Sequence, residues 1–403
     1  MSHLAKLDHR YIWHPFTQMR DWLAREPIVI ARGRGAVLED VHGRQYLDAN
    51  ASIWTNLHGH NHPKINAAIR RQLGKISHSS ALGLANEPAA LLAEQLVRLA
   101  NPDGLSSDAL FPLTPALSLR EREQAGPAVD DKNSASFATS LTTIPPLPKG
   151  EGRGEGKAAF KHQEAPKTAW PLSPSLTKVF FSDDGSTAME VALKLAFEYA
   201  RRTGPDKKPR FLSLAGAYHG DTVGAVSLGH IDLFHRAYSH LLFKTDSVPA
   251  PYCYRCKFNQ AKPERADARD YRRCGWECVD KVEHAFARRK QRGAAYAAMA
   301  FEPLMQGAAG MIAQPAGWLR RVAEIARGHG APLIADEVMT GFGRTGTMFA
   351  CHQEGVQPDF LALAKGLTGG YLPMAATLTT QRVFDAFLGD YTEFKTFFHG
   401  HRS

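Results

Sequence analysis

The chain has 403 residues, 44% of them hydrophobic, with 49 Lys and Arg against 40 Asp and Glu and a formal net charge of +9. That length and composition suit a folded chain with room for two domains and a sizeable buried core. The basic residues are scattered among acids rather than gathered in a stripe, which argues against a nucleic-acid partner and reads as solvated surface.

The chain opens with MSHLAKLDHRYIWHPF, which lacks the apolar centre of an export signal, and no apolar run of about 18 residues follows anywhere. Neither export nor membrane insertion is expected, and a cytoplasmic enzyme is the default reading. His58, His60 and His62 in HGHNHP have the look of metal ligands.

From Ser106 to Leu176 the sequence has no sustained period and is rich in Pro, Ser, Gly and paired charges. It is far longer than loops inside compact domains usually are, which predicts a disordered insertion over 106–176. Its glycine-rich stretch LPKGEGRGEGK lacks the G-x-x-x-x-G-K-[ST] pattern, since Glu151 stands where the first glycine belongs and Ala158 follows Lys157. The genetic code offers another account of that stretch. Codons can be chosen for Pro146–Lys157 whose reverse complement encodes FPLTPALSLRER, which is Phe111–Arg122. An inverted DNA repeat, inserted and translated in frame, is therefore the expected origin of the segment.

Beyond Thr177 short β-rich runs alternate with helical patterns. KVFF (178–181) leads into STAMEVALKLAFEYARR, where Ala188, Val191, Leu195 and Tyr199 recur at helical spacing, with Ser186 or Thr187 as the N-cap. Strand-like FLSL (211–214), AAMAFEPL (297–304) and PLIADEV (332–338) follow, the last two separated by the amphipathic helix GWLRRVAEIARGHG. Strands separated by helices imply an α/β chain with a mostly parallel sheet flanked by helices.

Five cysteines are an odd count, suited to a reducing compartment. Cys253 with Cys256, and Cys274 with Cys278, approximate the spacing of a structural zinc site, although the second pair is C-x3-C; reduced thiols in a loop are the alternative.

In open α/β sheets the chemistry gathers at the carboxyl ends of the strands. Asp336 and Glu337 end one apolar run, and Lys365 follows another in FLALAKGLTGG. Gly185 and Ser186 open a helix, where N–H groups and the helix dipole favour an anion. A buried lysine for Schiff-base chemistry, a carboxylate for a pyridinium nitrogen and a helix end for a phosphate together make the parts list of a pyridoxal-phosphate site.

ADEVMTGFGRTG with ALAKGLTGG, FFSDDGS and AYHGDTVGA resembles the class III (ω-type) pyridoxal-phosphate-dependent aminotransferases, over almost all of the chain outside the insertion. The resemblance implies the fold type I architecture of those transferases, pyridoxal 5'-phosphate as cofactor, and a homodimer. It implies Lys365 as the covalently bonded, proton-shuttling lysine, Asp336 as partner of the pyridine nitrogen, Tyr218 stacked on the ring, and Gly185 with Ser186 at the phosphate. Phe16, Ile53, Trp54, Tyr218 and Gly400 are implied as substrate contacts, and no metal. Within the class, YIWHPFTQM, DANASIWTNLHGHNHP and Met339 are similar to members that pass an amino group from S-adenosylmethionine to 8-amino-7-oxononanoate in the biotin pathway. Another class III activity on an ω-amino acid or diamine, and an inactive remnant that at most binds cofactor or dimerises, are the competing readings.

The expected organisation follows from the same resemblance. Residues 1–65 would be an N-terminal segment carrying part of the small domain and of the substrate pocket. Residues 66–105 and 177–395 would form the large cofactor-binding domain, interrupted by the insertion at 106–176. Residues 396–403, ending in FFHGHRS, would be the truncated start of a C-terminal region, with the small C-terminal domain missing.

Overall fold

The computed structural model describes residues 1–101, 174–262, 268–270 and 272–400. Most of the expected insertion, including both arms of the inverted repeat, lies outside the described residues, as do Arg402 and Ser403.

After two short helices, His3–Tyr11 and Met19–Leu23, the first strands form an antiparallel meander, β1 (Ile30–Arg34), β2 (Val37–Asp40) and β3 (Gln45–Leu47). Its tight turn is organised by one carboxylate: Asp40 accepts from the N–H groups of His42 and Arg44, from the Arg44 guanidinium and from the Tyr46 hydroxyl. Helix α1 (Glu87–Ala100) is capped by Asn86, whose side chain accepts from the Ala89 N–H. At its far end Asn101 donates to the carbonyl of Leu176 at 2.8 Å and accepts from the Leu176 N–H at 2.9 Å. The two flanks of residues 102–175 are thereby joined side by side.

Leu176 begins β4 (Leu176–Ser182), an outer strand of a seven-stranded sheet in the order β4-β12-β11-β10-β7-β5-β6. The others are β5 (Arg210–Leu214), β6 (Asp246–Val248), β7 (Tyr296–Phe301), β10 (Leu333–Asp336), β11 (Phe360–Leu363) and β12 (Ala375–Thr380), with β8 (Met305–Gln306) and β9 (Ile312–Ala313) forming a separate small hairpin. Only β12 runs against its neighbours; the remaining strand pairs of this sheet are parallel. Every residue of β7, β10 and β11 is buried, the signature of parallel strands covered on both faces.

Helix α2 (Gly185–Thr203) covers one face with Ala188, Val191, Leu195 and Tyr199 buried, as their spacing predicts. Its N-cap is Asp184, in place of the expected Ser186 or Thr187. The Asp184 carboxylate accepts from the Thr187 N–H while the Thr187 hydroxyl accepts from the Asp184 N–H, a closed capping box. The other face is covered by α3 (Glu277–Gln291) and α4 (Trp318–Gly328), with Trp318 wholly buried among Phe301, Leu333 and Val322 in the same apolar cluster. The strands expected over 297–304 and 332–338 stop at Phe301 and Asp336. Glu337 turns away so that its buried carboxylate can accept from the N–H groups of Ala350 and Cys351. The described residues belong to one compact unit in which Tyr371 accepts from the His62 N–H and donates to the Gly59 carbonyl, tying the N-terminal segment to the sheet.

Candidate active site

The acidic end of β10 and the lysine after β11 are neighbours because the strands are. Asp336 pairs in register with Ala362, three residues before Lys365, which opens the short helix α5 (Lys365–Thr368). The loop after β5 brings Tyr218 and His219, the end of β7 brings Glu302, and the start of α2 brings Gly185 and Ser186 to the same side. They surround a cavity of about 370 Å³ whose walls include Trp54, Tyr218, Asp336, Met339 and Lys365. That size suits a small organic ligand.

Asp336 is buried, and one of its oxygens is 2.8 Å from Nδ1 of His219 while the other accepts from the Val338 N–H at 3.1 Å. Burial pulls the pKa of His219 down, but the hydrogen bond and charge of Asp336, with Glu302 behind, outweigh it and the net shift is upward. Lys365 moves the other way: burial disfavours its ammonium, against the stabilising charges of Asp336 and Glu302, and Arg344 adds repulsion. Its amine is therefore more available at neutral pH than a surface lysine's. Lys365 Nζ lies 5.7 Å from the centre of the Trp54 ring.

Tyr218 donates its hydroxyl proton to Asp221 at 2.7 Å, and burial together with that acid drives its phenol pKa upward, so it stays protonated. The Asp221 N–H in turn donates to the Ser186 hydroxyl at 3.1 Å. Between them Gly220 has φ +117, and a Cβ there would sit 2.2 Å from Ser186 Oγ, so only glycine lets this turn close on the helix end. A Cβ on Gly185 would likewise lie 2.8 Å from Val338. Because the Thr187 N–H is taken by Asp184, an anion at this end would meet the N–H groups of Gly185 and Ser186.

Of the expected site residues, Lys365, Asp336, Tyr218, Gly185, Ser186 and Trp54 converge on the cavity. Phe16, Ile53 and Gly400 are not among its walls. Phe16 is 70% exposed and meets Phe234 edge-on at 5.3 Å, one ring removed from Tyr218. Ile53 is 62% exposed on a turn, Ala51–Trp54, whose four residues all have left-handed φ, from +49 to +63. Gly400 follows His399, which is bonded at 2.8 Å to Lys194, more than two turns along α2 from the anion-facing end. His219 and Glu302 also line the cavity and Asp221 holds Tyr218, and none of the three is among the residues expected at the site. Glu302 carried the same signal as Asp336, an acid directly after a fully apolar strand.

His60 is bonded to Asp48 at 2.9 Å, which accounts for one of the three clustered histidines structurally. The four grouped cysteines are free and partly exposed. Burial and the neighbouring thiols push Cys253 up to about 11 and Cys278 to about 12. Among the described residues no group of three or more His, Cys, Asp or Glu side chains is arranged to hold a metal ion, and no helix is long and apolar enough to cross a membrane.

The chain matches the family model described as aminotransferase class-III over residues 20–112 and 158–400. It is 42% identical over 398 residues to the adenosylmethionine-8-amino-7-oxononanoate aminotransferase of Geobacter sulfurreducens, covering 99% of this chain and 70% of that protein. It is also 42% identical to the enzyme of that name from Nitratidesulfovibrio vulgaris, of which it spans only 59%. The crystal structure of the Methanocaldococcus jannaschii enzyme of the same name superimposes with a TM-score of 0.72 at 34% identity, over 99% of this chain and 70% of that one. A PLP-bound amine transaminase from an uncultivated Pseudomonas species gives 0.69 at 29% identity, covering 97% and 70%. With this match, and with a strand-end lysine and aspartate facing one cavity, the chain belongs to the class III aminotransferases.

Proposed function

We propose that this chain is a pyridoxal-phosphate-dependent aminotransferase that converts 8-amino-7-oxononanoate to 7,8-diaminononanoate with S-adenosylmethionine as amino donor. The observation that carries the reading is the placing of Lys365 and Asp336 on adjacent strand ends around a cavity that Tyr218 also lines. The donor set fits the cofactor: an amine with lowered pKa, a buried carboxylate backed by a histidine, and a helix end whose first two residues, Gly185 and Ser186, line the cavity. Pyridoxal phosphate, when bound, supplies the electron sink that makes amino transfer possible.

The chain's own residues do the rest. Lys365, held neutral for more of the time by burial, accepts and returns a proton at Nζ. Asp336 is fixed at the cavity because His219 and the Val338 N–H engage both its oxygens. Tyr218, pinned through Asp221, keeps its ring against the cavity, and Trp54 forms part of its wall. Exposed apolar side chains such as Trp13, at 87% exposure, and Leu82, at 77%, support a homodimer. The cytoplasm suits the free thiols.

The test is direct. Purified chain mixed with pyridoxal phosphate is expected to develop a visible absorption band that Lys365→Ala lacks, and to form 7,8-diaminononanoate when both substrates are added. No band, or one that persists in Lys365→Ala, would refute the cofactor reading; turnover with diamines but not with S-adenosylmethionine would refute the donor.

A further inference from the structure

Glu302 is the buried acid that this chemistry leaves without a task. It directly follows β7, is 7% exposed, and lines the cavity. Its two carboxylate oxygens are engaged by backbone donors from two separate loops: one accepts from the Tyr218 N–H at 3.2 Å, the other from the Gly307 N–H at 2.8 Å. Tyr218 belongs to the loop after β5, and Gly307 follows β8. One carboxylate therefore clasps two walls of the same cavity.

The Gly307 side of that clasp has no slack. A Cβ on Gly307 would meet Met339 Sδ at 2.5 Å and Trp54 Cζ3 at 3.5 Å, so a shift of this backbone moves both side chains. On the other side Tyr218 carries the ring that faces the cavity and the hydroxyl bonded to Asp221.

We propose that Glu302 is a positioning residue for the reaction, holding Tyr218 and the Trp54–Met339 wall at a fixed separation while its charge, with that of Asp336, supports the cation on Lys365. The proposal rests on reading the cavity as the cofactor site. The ionisable groups around Glu302 are His219, Asp336 and Lys365, with Arg344 acting against Lys365 from its own side. Burial raises the Glu302 carboxyl to about 7, with Asp336 pushing the same way and His219 and the two N–H groups pulling it back, so it changes charge near neutrality. Only a carboxylate presents two acceptors; a glutamine would turn an N–H2 group toward one of the two N–H donors.

Wild type, Glu302→Gln and Glu302→Asp, each loaded with pyridoxal phosphate, separate the two roles. The amide variant should bind the cofactor at least roughly tenfold more weakly, since a charge-assisted bond to backbone is lost. Its visible band should change with pH at a midpoint about one unit lower, because a negative charge near Lys365 is gone. The aspartate variant keeps the charge but is too short to reach both donors, so it should restore the midpoint and not the affinity. An amide variant with wild-type affinity and midpoint overturns the proposal. If the amide variant does not fold, wild-type affinity in the aspartate variant overturns it instead. A wild-type chain with no band refutes the cofactor reading itself, and the inference with it.

Discussion

Cutting residues 105–175 out of the chain and joining Gly104 directly to Leu176 should leave a folded and slightly more stable protein. The ground is the Asn101 clamp: its side chain both donates to and accepts from the backbone of Leu176, so the end of α1 and the start of β4 already touch. The shortened connection would read Asn101-Pro102-Asp103-Gly104-Leu176, and Pro-Asp-Gly is a turn sequence. In the present chain 74 residues separate Asn101 from Leu176. Replacing them by three lowers the loop-closure entropy term, (3/2)RT ln n, by about 3 kcal/mol. For a chain of roughly 330 residues, whose unfolding entropy is on the order of 0.7 kcal/mol/K, this corresponds to a rise in Tm of about 4 °C. The family match also pauses between residues 112 and 158, inside the excised stretch. The assay is thermal unfolding followed by circular dichroism, with pyridoxal-phosphate absorption as a check on the site. A fall in Tm, or loss of the visible band, would show that the excised residues pack on the sheet, and would refute the treatment of them as an insertion.

Three further outcomes are expected. Ile53→Gly should raise stability by about 0.5–1 kcal/mol in urea titration, because relief of a left-handed β-branched residue (about 1–2 kcal/mol) exceeds the entropy of the added glycine (about 0.5–1 kcal/mol); an unchanged or lower midpoint contradicts it. Arg327→Leu should cost about 3–5 kcal/mol, since the buried Asp359 carboxylate keeps the Leu333 N–H but loses the guanidinium that offsets its charge; a loss below about 1 kcal/mol would show that the charge is offset without Arg327. Stability of the cofactor-free chain should also fall with rising pH on account of Glu302, whose carboxyl is raised from its ordinary 4.5 to about 7. The folded state binds that proton more tightly, so the stability contributed by Glu302 is fully present below 4.5 and is lost between 4.5 and 7, by at most about 1.4 kcal/mol per pH unit. The decline should be shallower in Glu302→Gln, and parallel curves for the two chains would contradict the assignment.

Much of this site could be read from the sequence because its signals are local. Asp336 and Lys365 each follow an apolar run, and such runs become strands buried on both faces, so the residues after them had to fall at the sheet's carboxyl edge. What escaped was long in range or contrary to propensity. The bond from His219 to Asp336 joins residues 117 positions apart, and nothing in the tripeptide around either one announces the other. The turn at Ala51–Trp54 adopts four left-handed conformations without a glycine, which the β-branched Ile53 disfavours on its own account. It is fixed instead by Asp48, whose carboxylate takes the Ser52 N–H, the Ser52 hydroxyl and the His60 ring. The N-cap of α2 lies two or three residues before the expected one because Asp184, Ser186 and Thr187 are all good caps, and the reciprocal bonds between Asp184 and Thr187 set the start.

The in-register pairing of β10 with β11 has a consequence for how such a site can vary. Parallel strands lie about 4.8 Å apart whatever their side chains, so the sheet fixes the distance from Asp336 to Ala362, its partner on β11. Lys365 begins α5 three residues beyond that pair, so the acid and the segment that carries the amine start from one backbone gauge. Trp54 stands on a segment outside that sheet, so its part of the cavity wall can change while the start of α5 keeps its place beside Asp336.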